Sequence, residues 1–141
     1  MNVTDEPTRT LARLRVLVVD DDDALRDALC GLLQDEGFDV IGRAGDGDTA
    51  VSLARDGRPD VVLVDYRMPG MDGLQAVGLM RTDAPLTQAI MLTAYDDETL
   101  SSEAERAEVY CFLVKGCPPM LIVDMVRRAG SYKRELERRP N

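Results

Sequence analysis

Five short apolar runs, each followed by a segment of different period, constrain this chain more than any other feature. The runs are RVLVV (15–19), DVIGRA (39–44), DVVLV (60–64), AIMLT (89–93) and YCFLV (110–114). They are short, largely aliphatic and poor in polar residues, as strands buried on both faces are. After the first run, Leu25, Ala28, Leu29, Leu32 and Leu33 fall at helical spacing, and Gly37 ends the segment. In this reading Asp22 and Asp23 are solvated, with Asp23 placed to cap that first helix. Asp46 is an N-cap for a second helix that stops at Gly57. DGLQAVGLMR (72–81) and the acid-rich DDETLSSEAERA (96–107) read as the next two helices. The last begins near Pro118, with Pro119 suited to its first turn.

Strands alternating with helices predict an α/β protein with a parallel sheet. Right-handed crossovers leave few topologies. The most economical is a flavodoxin-like three-layer sandwich, a five-stranded parallel sheet of order 2-1-3-4-5 with strand 2 at an edge. At 141 residues and 45% hydrophobic, the chain suits one domain, expected over 15–130. Residues 1–14 read as a flexible leader, and 131–141 as a C-terminal helix end or tail, solvated and more basic than the rest.

Composition removes several classes of function. There is no histidine, which excludes His-based acid–base catalysis and most zinc or iron sites. A net charge of −9 opposes a phosphate backbone, so direct nucleic-acid binding by this domain is not expected. No apolar stretch approaches the roughly 20 residues of a membrane span, and the polar start is unlike a signal peptide. The expected location is cytoplasmic, without membrane association. Cys30, Cys111 and Cys117 are odd in number and lie in apolar surroundings, and they read as packing residues.

In open parallel sheets, sites form at the carboxyl ends of the strands. Asp20 and Asp21 follow the first run, Asp65 the third, Thr93 closes the fourth, and Lys115 follows the fifth. Three carboxylates gathered without a cation repel and push at least one pKa upward. A hard divalent ion relieves this, and oxygen ligands with room for water suit Mg²⁺. Lys115 adds a fixed positive charge. Such a cluster fits phosphoryl transfer, which needs mainly positioning and charge neutralisation. Asp65 can then act as a nucleophile that forms an acyl phosphate. An EF-hand reading of DDDDALRDALCG fails for want of the central glycine.

The segments VLVVDD, VVLVDYRMPGMDGL, MLTA and FLVKG closely resemble the receiver domain of bacterial response regulators, of the chemotaxis-regulator-like kind, over about residues 15–130. The resemblance implies that Asp65 is the phosphoacceptor in a two-component phosphorelay. It implies Mg²⁺ held by Asp20, Asp21, Asp65 and the backbone carbonyl of Arg67, with Lys115 on the phosphoryl oxygens. Thr93 and Phe112 take the switch positions, and Arg67 and Tyr95 the positions that tune phosphoryl lifetime. The partners implied are a sensor histidine kinase or phosphotransfer protein, a downstream target or missing output domain, and a phosphorylation-dependent homodimer. The domain is then no enzyme beyond its own phosphoryl transfer and autodephosphorylation.

Departures touch the output side. Glu108, Val109, Tyr110 and Cys111 stand where the family often has small residues, and Gly116 follows the lysine where many members have proline. KGCPP instead resembles the Lys-x-x-x-Pro arrangement of regulators with helix-turn-helix outputs. Two other readings fit parts of the sequence. One is a pseudo-receiver that binds partners without phosphorylation. The other is a Mg²⁺ phosphohydrolase using Asp20 and Asp22 as an Asp-x-Asp pair.

Overall fold

A computed structural model describes residues 13–94 and 109–140. Its strands are β1 (Arg15–Val19), β2 (Asp39–Ala44), β3 (Val61–Asp65), β4 (Gln88–Thr93) and β5 (Cys111–Val114). They form one sheet of order β2-β1-β3-β4-β5 with every neighbouring pair parallel. The expected topology is therefore observed, with β2 at one edge. Among the described residues there are four helices, α1 (Asp23–Asp35), α2 (Gly47–Gly57), α3 (Gly73–Asp83) and α4 (Pro119–Arg138). The acid-rich helix expected at 96–107 lies outside the described residues, as do residues 1–12 of the leader.

Alternation along the strands sorts side chains into two cores. Leu17 and Val19 of β1, with Val62 and Val64 of β3, pack towards Ala50, Ala54, Leu74 and Val77 of α2 and α3. Val16 and Val18, with Leu63, Ile90 and Leu92, pack towards Leu29, Leu33, Ile122 and Val126 of α1 and α4. A strand buried on both faces has no polar side to present, which explains why β1, β3 and β4 read as continuous apolar runs.

The helix ends correct several expectations. Asp22, not Asp23, caps α1: its side chain accepts from the Leu25 N–H, and Asp23 is the first helical residue. Asp22 is thus engaged rather than simply solvated. Asp46 caps α2 as expected, accepting from the Thr49 N–H. That helix includes Gly57, however, and the left-handed C-cap falls on Arg58, with φ 46°. A non-glycine there is uncommon. The Arg15 guanidinium bonds the carbonyls of both Gly57 and Arg58, which fixes the turn.

The last helix runs on to Arg138 with most of its end exposed, as expected, but two of its basic residues are tied to the sheet. Gly130 lets α4 pack closely on Leu14, just before β1, since a Cβ there would lie 2.7 Å from the Leu14 side chain. Beyond it, Lys133 is buried. Its Nζ lies 3.2 Å from Asp60 Oδ1, and Arg134 Nη2 lies 3.0 Å from Asp60 Oδ2. The basic segment is pinned to the base of β3.

Candidate phosphoryl-transfer site

Parallel strands end together, so residues far apart in sequence share one rim. Asp20 directly follows β1, Asp65 is the last residue of β3, Thr93 ends β4 and Lys115 directly follows β5. Register carries the alignment: Asp65 pairs with Leu92, and Thr93 with Val114.

Asp65 is buried although it is charged. Its Oδ2 lies 3.0 Å from Lys115 Nζ, and its Oδ1 accepts a longer bond, 3.3 Å, from the Arg67 N–H. Burial pushes its pKa up to about 6, against the lowering effect of the Lys115 hydrogen bond, and the charge of Asp20 pushes the same way.

Asp20 is 0% exposed. Its Oδ1 accepts from the Asp22 N–H at 2.9 Å, but Oδ2 is buried without a hydrogen-bond partner among the described residues, 3.7 Å from Lys115 Nζ. Burial raises its pKa as well, partly offset by that backbone bond and by Lys115. An orphaned, solvent-excluded carboxylate oxygen is costly. Burial pulls the Lys115 pKa down, yet its hydrogen bond to Asp65 and the surrounding carboxylates raise it overall.

Asp20, buried Asp65 and exposed Asp21 each offer an oxygen within 4.8 Å of the others. This donor set fits a hard cation: all ligands are oxygens, the orphaned Asp20 Oδ2 lacks a partner, and exposed Asp21 leaves an open side for water.

The loop beside Asp65 is shaped locally. Gly70, with φ 79°, makes the turn after Pro69, and the Gly73 N–H bonds the Tyr66 carbonyl at 2.8 Å. A Cβ on Gly73 would run into the Asp65 carbonyl oxygen, so this contact requires glycine. Asp72 then starts α3 through a capping box with Gln75.

Of the other expected site residues, Thr93 is buried, with its hydroxyl bonded to the Ala94 carbonyl. Phe112 is 36% exposed on β5. The Arg67 guanidinium sits over the buried Tyr66 ring at 4.8 Å. Tyr95 lies outside the described residues. Sequence reasoning missed Arg26, which bonds the Asp20 carbonyl at 2.8 Å and the Asp23 carboxylate at the same distance. The i,i+3 Asp23–Arg26 spacing was the available signal. It also missed Gly73, signalled only by a glycine just after a capping aspartate.

No described helix is long and apolar enough to cross a membrane. Residues 16–127 match the response regulator receiver domain family. Transcriptional regulatory protein PdtaR of Mycobacterium tuberculosis is 35% identical over 112 residues, 79% of this chain and 53% of that protein. Regulatory protein AtoC of Escherichia coli is 40% identical over 128 residues, 86% of this chain and 27% of that protein. The chain thus spans about half the length of PdtaR and less of AtoC. The structure of Vibrio cholerae chemotaxis protein CheY4 superposes with a TM-score of 0.77 at 31% identity, covering 84% of this chain and 99% of that one. A rim that joins the buried pair Asp20 and Asp65 to Lys115, on a sheet of order 2-1-3-4-5, agrees with these matches: the chain belongs to the response regulator receiver family of two-component systems.

Proposed function

We propose that Asp65 accepts a phosphoryl group from a sensor histidine kinase or phosphotransfer protein, and that this changes what the domain binds. The observation that carries the reading is the Asp20–Lys115–Asp65 arrangement, with two buried carboxylates held by one cation and one oxygen left unpaired. A carboxylate oxygen of Asp65 attacks phosphorus, a P–O bond forms, and the donor's P–N bond breaks with its electron pair leaving on the imidazole. The charge of Asp65 is then carried by phosphoryl oxygens, and Lys115 follows it. Thr93 gives up its bond to the Ala94 carbonyl and donates to the phosphoryl group. Asp20, Asp21, Asp65 and the Arg67 carbonyl hold Mg²⁺, which supplies charge neutralisation for the transfer.

The switched surface includes β5, where Phe112 is exposed, and α4. Its downstream partner is a protein target, an attached output domain or a second phosphorylated copy. A bacterial cytoplasm is the setting that histidine kinase partners imply, and the domain turns over nothing but its own phosphoryl group. A phosphohydrolase using Asp20 and Asp22 is disfavoured, because the Asp22 carboxylate is committed to the Leu25 N–H. A pseudo-receiver has no use for the costly buried Asp20 oxygen.

Incubation with Mg²⁺ and acetyl phosphate is expected to add one hydroxylamine-labile phosphate, and Asp65→Asn is expected to add none. Equal labelling of that variant would overturn the assignment. The phosphate is further expected to persist for many minutes. Hydrolysis needs water in line with the breaking bond, and neither Arg67 nor Tyr95 is a base at neutral pH. Decay followed after donor removal is expected to be faster in an Arg67→Asn/Tyr95→Glu double variant, and an unchanged rate would show that these two side chains do not tune the lifetime.

A further inference from the structure

Far from Asp65, at the opposite end of the sheet, the sign of the surface charge inverts. A cleft of about 570 Å³ opens between the start of β1, the turn after α1 and the second half of α4. Four of the chain's 17 basic residues line it, Arg13, Arg127, Arg134 and Arg138, against one acid, Glu36. The chain as a whole carries 26 acids. Among the described residues, Arg13, Arg127 and Arg138 have no carboxylate partner. Gathering like charges this way is unfavourable unless a counter-charge is supplied.

The arrangement is also partly fixed in advance. Arg134 is held by Asp60 Oδ2 at 3.0 Å and by the Arg13 carbonyl at 2.9 Å. The Arg127 guanidinium sits over the Phe38 ring at 5.4 Å. Donors held in place lose less freedom on binding. Arg127, Ser131, Arg134 and Arg138 fall at i, i+4, i+7 and i+11 on α4, which is one helix face. They form a row about 16 Å long at 1.5 Å per residue. A row of guanidinium forks and one hydroxyl suits several anionic groups in line better than a single one. The volume lies within the range of small-molecule sites. Phe38 is already covered by Arg127, so the cleft offers no open aromatic face for a base.

We propose that this cleft binds a short phosphate chain, as carried by inorganic triphosphate or a nucleoside triphosphate, independently of the phosphorylation site. The test is calorimetric titration of the whole chain, in Mg²⁺-free buffer, with inorganic triphosphate, a nucleoside triphosphate and pentaglutamate. Wild type is expected to bind triphosphate one to one. Arg127→Gln/Arg138→Gln, which changes two exposed side chains, is expected to bind at least about tenfold more weakly, a loss of about 1.4 kcal/mol. Arg55→Gln/Arg128→Gln, which removes the same charge elsewhere, is expected to bind as wild type does. Equal affinity for the two triphosphates identifies the phosphate chain as the bound part, and a tighter nucleoside triphosphate identifies a nucleotide as its source. Three results would overturn the proposal: no binding by wild type, equal weakening in both double variants, or tighter binding of pentaglutamate, which would mark an acidic-peptide site.

Discussion

Asp60→Ala is expected to destabilise the domain by about 3–5 kcal/mol, the range for removing one partner of a buried ion pair. Asp60 directly precedes β3, is buried, and accepts three bonds: from the Arg15 N–H at 2.8 Å, from Arg134 at 3.0 Å and from Lys133 at 3.2 Å. The alanine leaves a backbone N–H and the buried Lys133 ammonium short of an acceptor, although Lys133 keeps Glu137 at 2.8 Å. Asp60→Asn retains an acceptor and is expected to cost less. Burial alone would raise the Asp60 pKa, but the Arg15 N–H and the two cationic side chains prevail and lower it. Its contribution is therefore present above the unfolded carboxylate pKa of about 3.9 and is lost as pH falls through the lower folded value. Urea unfolding of wild type and variant at pH 7, and at a series of lower pH values, measures both effects. A loss below about 1 kcal/mol at pH 7 would show that the cluster is not what ties α4 to the sheet.

Asp60 also marks where sequence reading stopped. Placed just before an apolar run, it looks like any polar residue bounding a strand. Two of its three partners, Lys133 and Arg134, lie more than 70 residues away on a helix whose basic end reads as solvated, and the third, the Arg15 N–H, lies on another strand. Pairings of that kind depend on packing, and no local period records them. The strand tips were legible for the opposite reason. In a parallel sheet the topology alone places the residue after each strand, so Asp20, Asp65, Thr93 and Lys115 could be assembled from order 2-1-3-4-5 before any contact was known. The caps fell between these cases. Asp22 and Asp23 are adjacent acids with the same propensity, and only the backbone conformation decides that Asp22 turns back onto the Leu25 N–H.

Asp20→Asn is expected to change the sign of its effect on stability with Mg²⁺. Without metal, Asp20 places a charge in a fully buried position where Oδ2 has no hydrogen-bond partner. Asparagine keeps an acceptor for the Asp22 N–H and removes both the burial of charge and the repulsion on Asp65. Lys115 retains Asp65 at 3.0 Å. A gain of about 1 kcal/mol is expected. It comes from removing a buried charge, not from satisfying the site, since the asparagine amide nitrogen is left without an acceptor beside Lys115. The pH dependence follows from the raised pKa of Asp65, about 6. A carboxyl group raised in the folded state binds its proton more tightly there, so metal-free stability falls as pH rises from about 3.9 through about 6. This is opposite in sign to the effect of Asp60, and it shrinks in Asp20→Asn. With Mg²⁺ at about 100 times its dissociation constant, wild type gains roughly 2.7 kcal/mol. The variant, lacking a buried ligand charge, gains little. Thermal unfolding with and without Mg²⁺ is therefore expected to rank the variant above wild type in chelator and below it in metal. A variant less stable than wild type in both would mean that Asp20 serves the fold, whereas the inverted order shows a site held at a cost to stability for the ion it binds.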